Sequence, residues 1–119
     1  MATTAPDQLF LLKPFFADAS AGQGLFHCPG SCRVEGLLSF YPFLRARMQV
    51  HYLDFPKPRT PLPDLLGPDH QSCPVLVLGD EAKDGPGVSR SPTGRRFVAD
   101  SDAIAKYLAH VDAIPEPHP

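Results

Sequence analysis

The sequence predicts an α/β fold: a four-stranded mixed sheet flanked by helices, in the order β-α-β-β-α, as a single domain over residues 1–119. Three observations carry this. Short apolar runs at residues 8–12 and 74–78 are bounded by turn residues and fit strands buried on both faces. Across residues 31–48 apolar side chains recur every three or four positions, which marks one face of a helix. A second periodic segment, 101–111, directly follows a short β-rich run at 95–99.

Taken in order, Gln8-Leu9-Phe10-Leu11-Leu12 is too short for a helix and is ended by Lys13-Pro14, so it reads as a strand. Residues 15–23 form a connection rich in small residues. In the helix that follows, Val34, Leu37, Leu38, Tyr41, Leu44 and Met48 share one face. Pro29 is tolerated in its first turn, where an N–H would lack a partner. Pro42 lacks the N–H an interior turn needs, so a kink or a split after Phe40 is expected. Glu35 near the start and Arg45 and Arg47 near the end match the helix dipole. Residues 49–55 alternate imperfectly, Tyr52 breaking the period, and read as a strand. Residues 56–63 are a proline-rich loop, and Asp64-Leu65-Leu66 makes at most one turn. Residues 81–94 are polar, with several glycines and two prolines, and are expected to be a weakly ordered loop. Asp100 or Ser101 would cap the last helix, whose inner face is Ala103, Ile104, Tyr107 and Leu108. A helix between the first two strands implies a parallel pair. The loop between the last two allows an antiparallel one.

Composition narrows the function. At 119 residues the chain suits one domain. The net charge is −2 and no basic run exists, so nucleic acid is not an expected partner. No apolar stretch reaches the length of a membrane span. The first eight residues lack the basic-then-apolar pattern of a signal peptide, so a cytoplasmic protein is expected. Three cysteines are too few, and odd in number, for a disulfide scaffold. They point to reduced thiols, catalysis or metal.

Cys28 stands at the start of the first helix, where unpaired N–H groups and the positive dipole end favour a thiolate. Cys32 follows one turn later, and Gly30 gives the turn between them the freedom a Cys28–Cys32 disulfide would need. The bland reading is that these are small buried hydrophobes. Cys73 precedes Pro74 at the first residue of a strand. Asp100 and Ser101 are ordinary helix caps by themselves. Lys13 and Arg59 are weaker candidates, at a pocket mouth and for an anion. Glu35 and Arg33 read as solvated helix charges, and His51 and His110 as surface residues. No Ser-His-Asp set or phosphate-binding glycine loop is present. Three converging thiols with His27 would be a ligand set for zinc or an iron–sulfur cluster. Their spacing matches no standard metal pattern, so no metal ligands are assigned.

Several segments carry a resemblance. They are Leu9-Phe10-Leu11-Leu12-Lys13-Pro14, Phe26-His27-Cys28-Pro29, Val34-Glu35-Gly36-Leu37-Leu38, Pro74-Val75-Leu76-Val77-Leu78 after Gln71-Ser72, and Asp100-Ser101-Asp102-Ala103-Ile104-Ala105 with Tyr107-Leu108. Over residues 8–108 the chain resembles a small bacterial family, domain of unknown function 3088, to which a thioredoxin-like fold is assigned. More broadly it is similar to glutaredoxins and to the N-terminal domain of glutathione transferases. The resemblance implies a cis Pro74 whose neighbour Cys73 meets a bound thiol compound, Cys28 at the reacting sulfur, and Asp100 with Ser101 holding a γ-glutamyl group. It implies glutathione as the cofactor to consider. Three residues, rather than two, separate the two cysteines, and a transferase's all-helical second domain is missing.

The expected function is a thiol-dependent oxidoreductase or glutathione-linked protein. Its catalytic residues would be Cys28 and Cys32, and its substrate contacts Cys73, Pro74, Asp100 and Ser101. Its partner would be a small thiol or a protein thiol or disulfide. The alternatives are a non-catalytic binding module of the same fold and a cysteine-based metal-binding protein. The sequence names neither a substrate nor an oligomeric state.

Overall fold

A computed structural model describes residues 5–119; residues 1–4, which belong to the segment read above for a signal peptide, lie outside the described residues. The strands are β1 (Asp7–Leu12), β2 (Met48–Leu53), β3 (Val75–Val77), β4 (Val88–Arg90) and β5 (Arg96–Ala99). The helices are α1 (Pro29–Phe40), α2 (Phe43–Arg47), α3 (Leu62–Leu66) and α4 (Ser101–Asp112). The sheet runs β2-β1-β3-β5-β4. β1 and β2 are parallel, with Leu9 opposite Val50 and Leu12 opposite Leu53. The other pairs are antiparallel.

The sheet has five strands, not the expected four. The extra strand, β4, lies inside the segment read as a weakly ordered loop. Ser89 and Arg90 are polar and exposed and only Val88 packs against the core, because this is an edge strand held mainly by backbone bonds to β5. The rest of that segment is anchored too. The Tyr107 hydroxyl donates to the Lys83 carbonyl at 2.7 Å, and Arg96 donates to the Asp84 carboxylate at 2.9 Å and the Ala82 carbonyl at 2.8 Å.

Period-two alternation divides the core into two layers. Leu9, Leu11, Leu76, Leu78 and Val98 face α1 and α4 and pack with Val34, Leu38, Ile104, Tyr107 and Leu108. Phe10, Val75, Val77 and Phe97 face the other way and pack with Leu62 and Leu66 of α3. β1 is thus buried on both faces, as its unbroken apolar run requires. The first long helix is split as Pro42 dictates: α1 ends at Phe40, and α2 begins after Pro42. His51, expected on the surface, is half-buried and stacks on Phe10 with ring centroids 4.9 Å apart.

An ion network ties the fold's edge together. Asp7, 6% exposed, accepts from the Gly79 N–H at 2.8 Å and from Arg47 at 2.8 Å. Arg47 also donates to Asp112 at 2.8 Å. Burial lowers the Arg47 pKa, and the two carboxylates more than offset it, leaving a net rise. β1, α2 and α4 are therefore coupled through one guanidinium. Among the described residues no helix is long and apolar enough to cross a membrane.

Candidate functional site

The site is built where β1 hands over to α1. Cys28 is the N-cap of α1, with extended backbone at φ −78° and ψ 118°. Its Sγ accepts from the Ser31 N–H at 3.4 Å, doing the work a Ser or Asp cap usually does. The same thiol donates to the Cys73 carbonyl at 3.7 Å. Ser31 is buried, and its Oγ accepts from the Leu12 N–H at 3.0 Å, which fixes the end of β1 against the helix start.

The three segments expected to meet do meet, around Gly30 and Pro74. A Cβ on Gly30 would lie 2.8 Å from Pro74 Cδ and 3.7 Å from Ser101 Cβ, so only glycine lets the helix start sit this close. The Cys73–Pro74 peptide bond is cis. The Asp100 N–H donates to the Pro74 carbonyl at 3.3 Å. Asp100 is exposed and holds a left-handed φ of 69°, and its carboxylate accepts from the Ala103 N–H at 2.9 Å. Ser101 is buried as the first residue of α4 and borders a separate cavity with Arg33, Leu37 and Tyr41. Asp100 and Ser101 are therefore joined to the thiol through Pro74, but they do not line the cavity beside it.

That cavity, of about 440 Å³, is lined by Leu11, Leu12, Pro14 and Phe15 together with Cys28 and Cys32. The rest of its lining is His27, Ser31, Glu35 and Tyr52. The Tyr52 hydroxyl donates to the Glu35 carboxylate at 2.9 Å and accepts from Arg45 at 3.1 Å, and Arg45 also pairs with Glu35. Cys28 is half-buried and Cys32 exposed, and both thiols are free.

Cys73 contributes its carbonyl rather than its sulfur. Burial pushes its thiol up to about 11, against the opposing charge of Arg59, with a further small rise from Cys28. It is a protonated spectator at neutral pH. Arg59 is spent within its own loop, donating to the carbonyls of Phe55 at 2.8 Å and Gln71 at 3.0 Å. Lys13 turns away to Asp54 at 3.2 Å. Among the described residues no group of three or more His, Cys, Asp or Glu side chains is gathered closely enough to hold a metal ion.

Of the residues singled out in the sequence, Cys28 and Cys32 line the cavity and Cys73 and Pro74 lie beside it, whereas its other walls went unmarked. Glu35 is a partly solvent-exposed helix charge, as the sequence suggests, and it also bonds to Tyr52 and Arg45. The one local signal was Tyr52, whose break in the alternation of β2 places an aromatic ring opposite Leu11. Phe15 gave none. No curated protein and no solved structure matches the chain. A family model described as protein of unknown function (DUF3088) matches residues 6–116, nearly the whole chain, and the chain belongs to that family.

Proposed function

We propose that this is a thioredoxin-like domain that performs thiol chemistry at Cys28. The observation that carries the reading is that Cys28 and Cys32 open on one apolar cavity, while the Cys28 sulfur touches the backbone of the residue before the cis proline. In the forward step the Cys28 thiolate attacks one sulfur of a disulfide R–S–S–R′. A mixed disulfide forms, and R–S⁻ leaves and takes up a proton. The Cys32 thiol, as thiolate, then attacks the Cys28 sulfur and releases the second arm as a thiol. The substrate disulfide is reduced and the Cys28–Cys32 pair oxidised; two equivalents of an external thiol restore the pair and leave as their own disulfide. The helix N–H of Ser31, aimed at Cys28 Sγ, stands where negative charge is carried on sulfur. Glutathione as that external thiol has its support in Asp100, whose backbone meets Pro74, with Ser101 beside it.

Iodoacetamide labelling near neutral pH, followed by mass spectrometry, tests this. Cys28 is expected to react first. Cys28→Ser should remove the fast phase, and Cys32→Ser should leave it. If all three thiols react more slowly than a free cysteine, thiol chemistry fails, and the chain is better read as a binding module of the same fold without catalysis.

A further inference from the structure

The cavity beside the thiols has features that thiol chemistry does not require. Its volume, about 440 Å³, falls within the roughly 300–1,000 Å³ of small-molecule pockets. Its wall carboxylate, Glu35, is paired with Arg45 and accepts a hydrogen bond from the Tyr52 hydroxyl. Its rim is Phe15, which is 79% exposed and sits at φ 65°, a region bulky residues seldom adopt. The chain on either side is tied down. The Lys13 N–H donates to the Leu53 carbonyl at 2.9 Å, and Phe16 pairs with Phe26 through bonds of 3.2 and 2.8 Å. The Phe16 ring stacks on Phe55 at 4.3 Å. A bulky residue held at a left-handed φ persists only where the structure around it fixes it, and such positions cluster at ligand sites.

We infer that this cavity binds an uncharged, planar apolar small molecule, with Phe15 as one wall and the Tyr52 hydroxyl as a polar contact. The inference rests on the thiol reading in one respect, for it names the substrate class that would lie against Cys28. The lining selects the class: the Glu35 charge is already paired with Arg45 and His27 is exposed to water, whereas a neutral ring packs against Leu11, Leu12, Pro14 and Phe15 without competing for either.

The test uses N-phenylnaphthylamine, a neutral fluorescent probe with no electrophilic centre, titrated into the full chain under reducing conditions. Saturable binding is expected, with an affinity insensitive to added salt. Phe15→Ala should weaken it roughly 2- to 10-fold, the range of an aromatic contact. Cys32→Trp, which fills the cavity from an exposed helix position, should weaken it further. Phe43→Ala, at an exposed apolar residue elsewhere, should change nothing. Absence of saturable binding, or binding unmoved by both Phe15→Ala and Cys32→Trp, overturns the inference. Because the probe cannot alkylate, this outcome is read apart from the labelling of Cys28: a probe that binds beside an inert Cys28 leaves the cavity and removes the chemistry.

Discussion

Reaction of Cys73 with dithiodipyridine, a neutral aromatic disulfide, measures how burial sorts the thiols. In the Cys28→Ser/Cys32→Ser double variant Cys73 is the one thiol left. Burial pushes it up to about 11; the variant removes only the weakest influence, that of Cys28, and leaves burial and Arg59 in place. At pH 7 about one such group in 10,000 is a thiolate, against about 3% of a free cysteine with pKa about 8.5, a deficit of roughly 300-fold. A thiolate of higher pKa is the better nucleophile; a Brønsted slope of about 0.4–0.5 returns roughly tenfold. The net slowing is about 25-fold relative to a free thiol peptide, before any steric hindrance. Stopped-flow absorbance reads the rate directly. The rate should go on climbing from about pH 9 to about pH 10.5, where the free thiol has levelled. The same thiol links folding to pH. Its folded value lies above the unfolded one, so its contribution to stability is full below about 8.5 and is lost as pH rises through about 11. A plateau near pH 9, with a rate within about threefold of the free peptide at pH 7, would refute the burial argument.

Two further substitutions probe the frame of the site. Arg47→Met leaves Asp7 and Asp112, whose side chains are 6% and 8% exposed, without their cation. Loss of one partner of a buried pair costs about 3–5 kcal/mol. Since Arg47 is itself one-third exposed, the lower end is expected, a fall of roughly 12 °C in Tm; a melt unchanged within about 2 °C would show that the network contributes little. Gly30→Ala gains up to about 1 kcal/mol in helix propensity. It also places a Cβ 2.8 Å from Pro74 Cδ, and overpacking costs about 1–3 kcal/mol. The urea midpoint should therefore fall, and a midpoint that rises would mean the α1–Pro74 contact is loose.

What the sequence determined by itself is local. The apolar run of β1, the three-and-four spacing of α1 and α2, the break at Pro42 and the Asp100 cap follow from backbone chemistry and periodicity acting over a few residues. So does the placing of Cys28 at a helix start, because Pro29 presets the backbone of a first helical turn. Tertiary structure decided the rest. β4 forms because the exposed edge of β5 offers backbone partners to Val88, Ser89 and Arg90, and hydrogen bonding of that kind leaves no apolar signature. Asp7, Arg47 and Asp112 look like surface charges until three elements bring them together. The cavity joins Phe15 from the β1–α1 connection, Glu35 and Cys32 from α1 and Tyr52 from β2. Apart from the break in alternation at Tyr52, no pattern along the chain announces it, because its walls are neighbours only once the parallel pairing of β1 with β2 and the docking of α1 set them side by side.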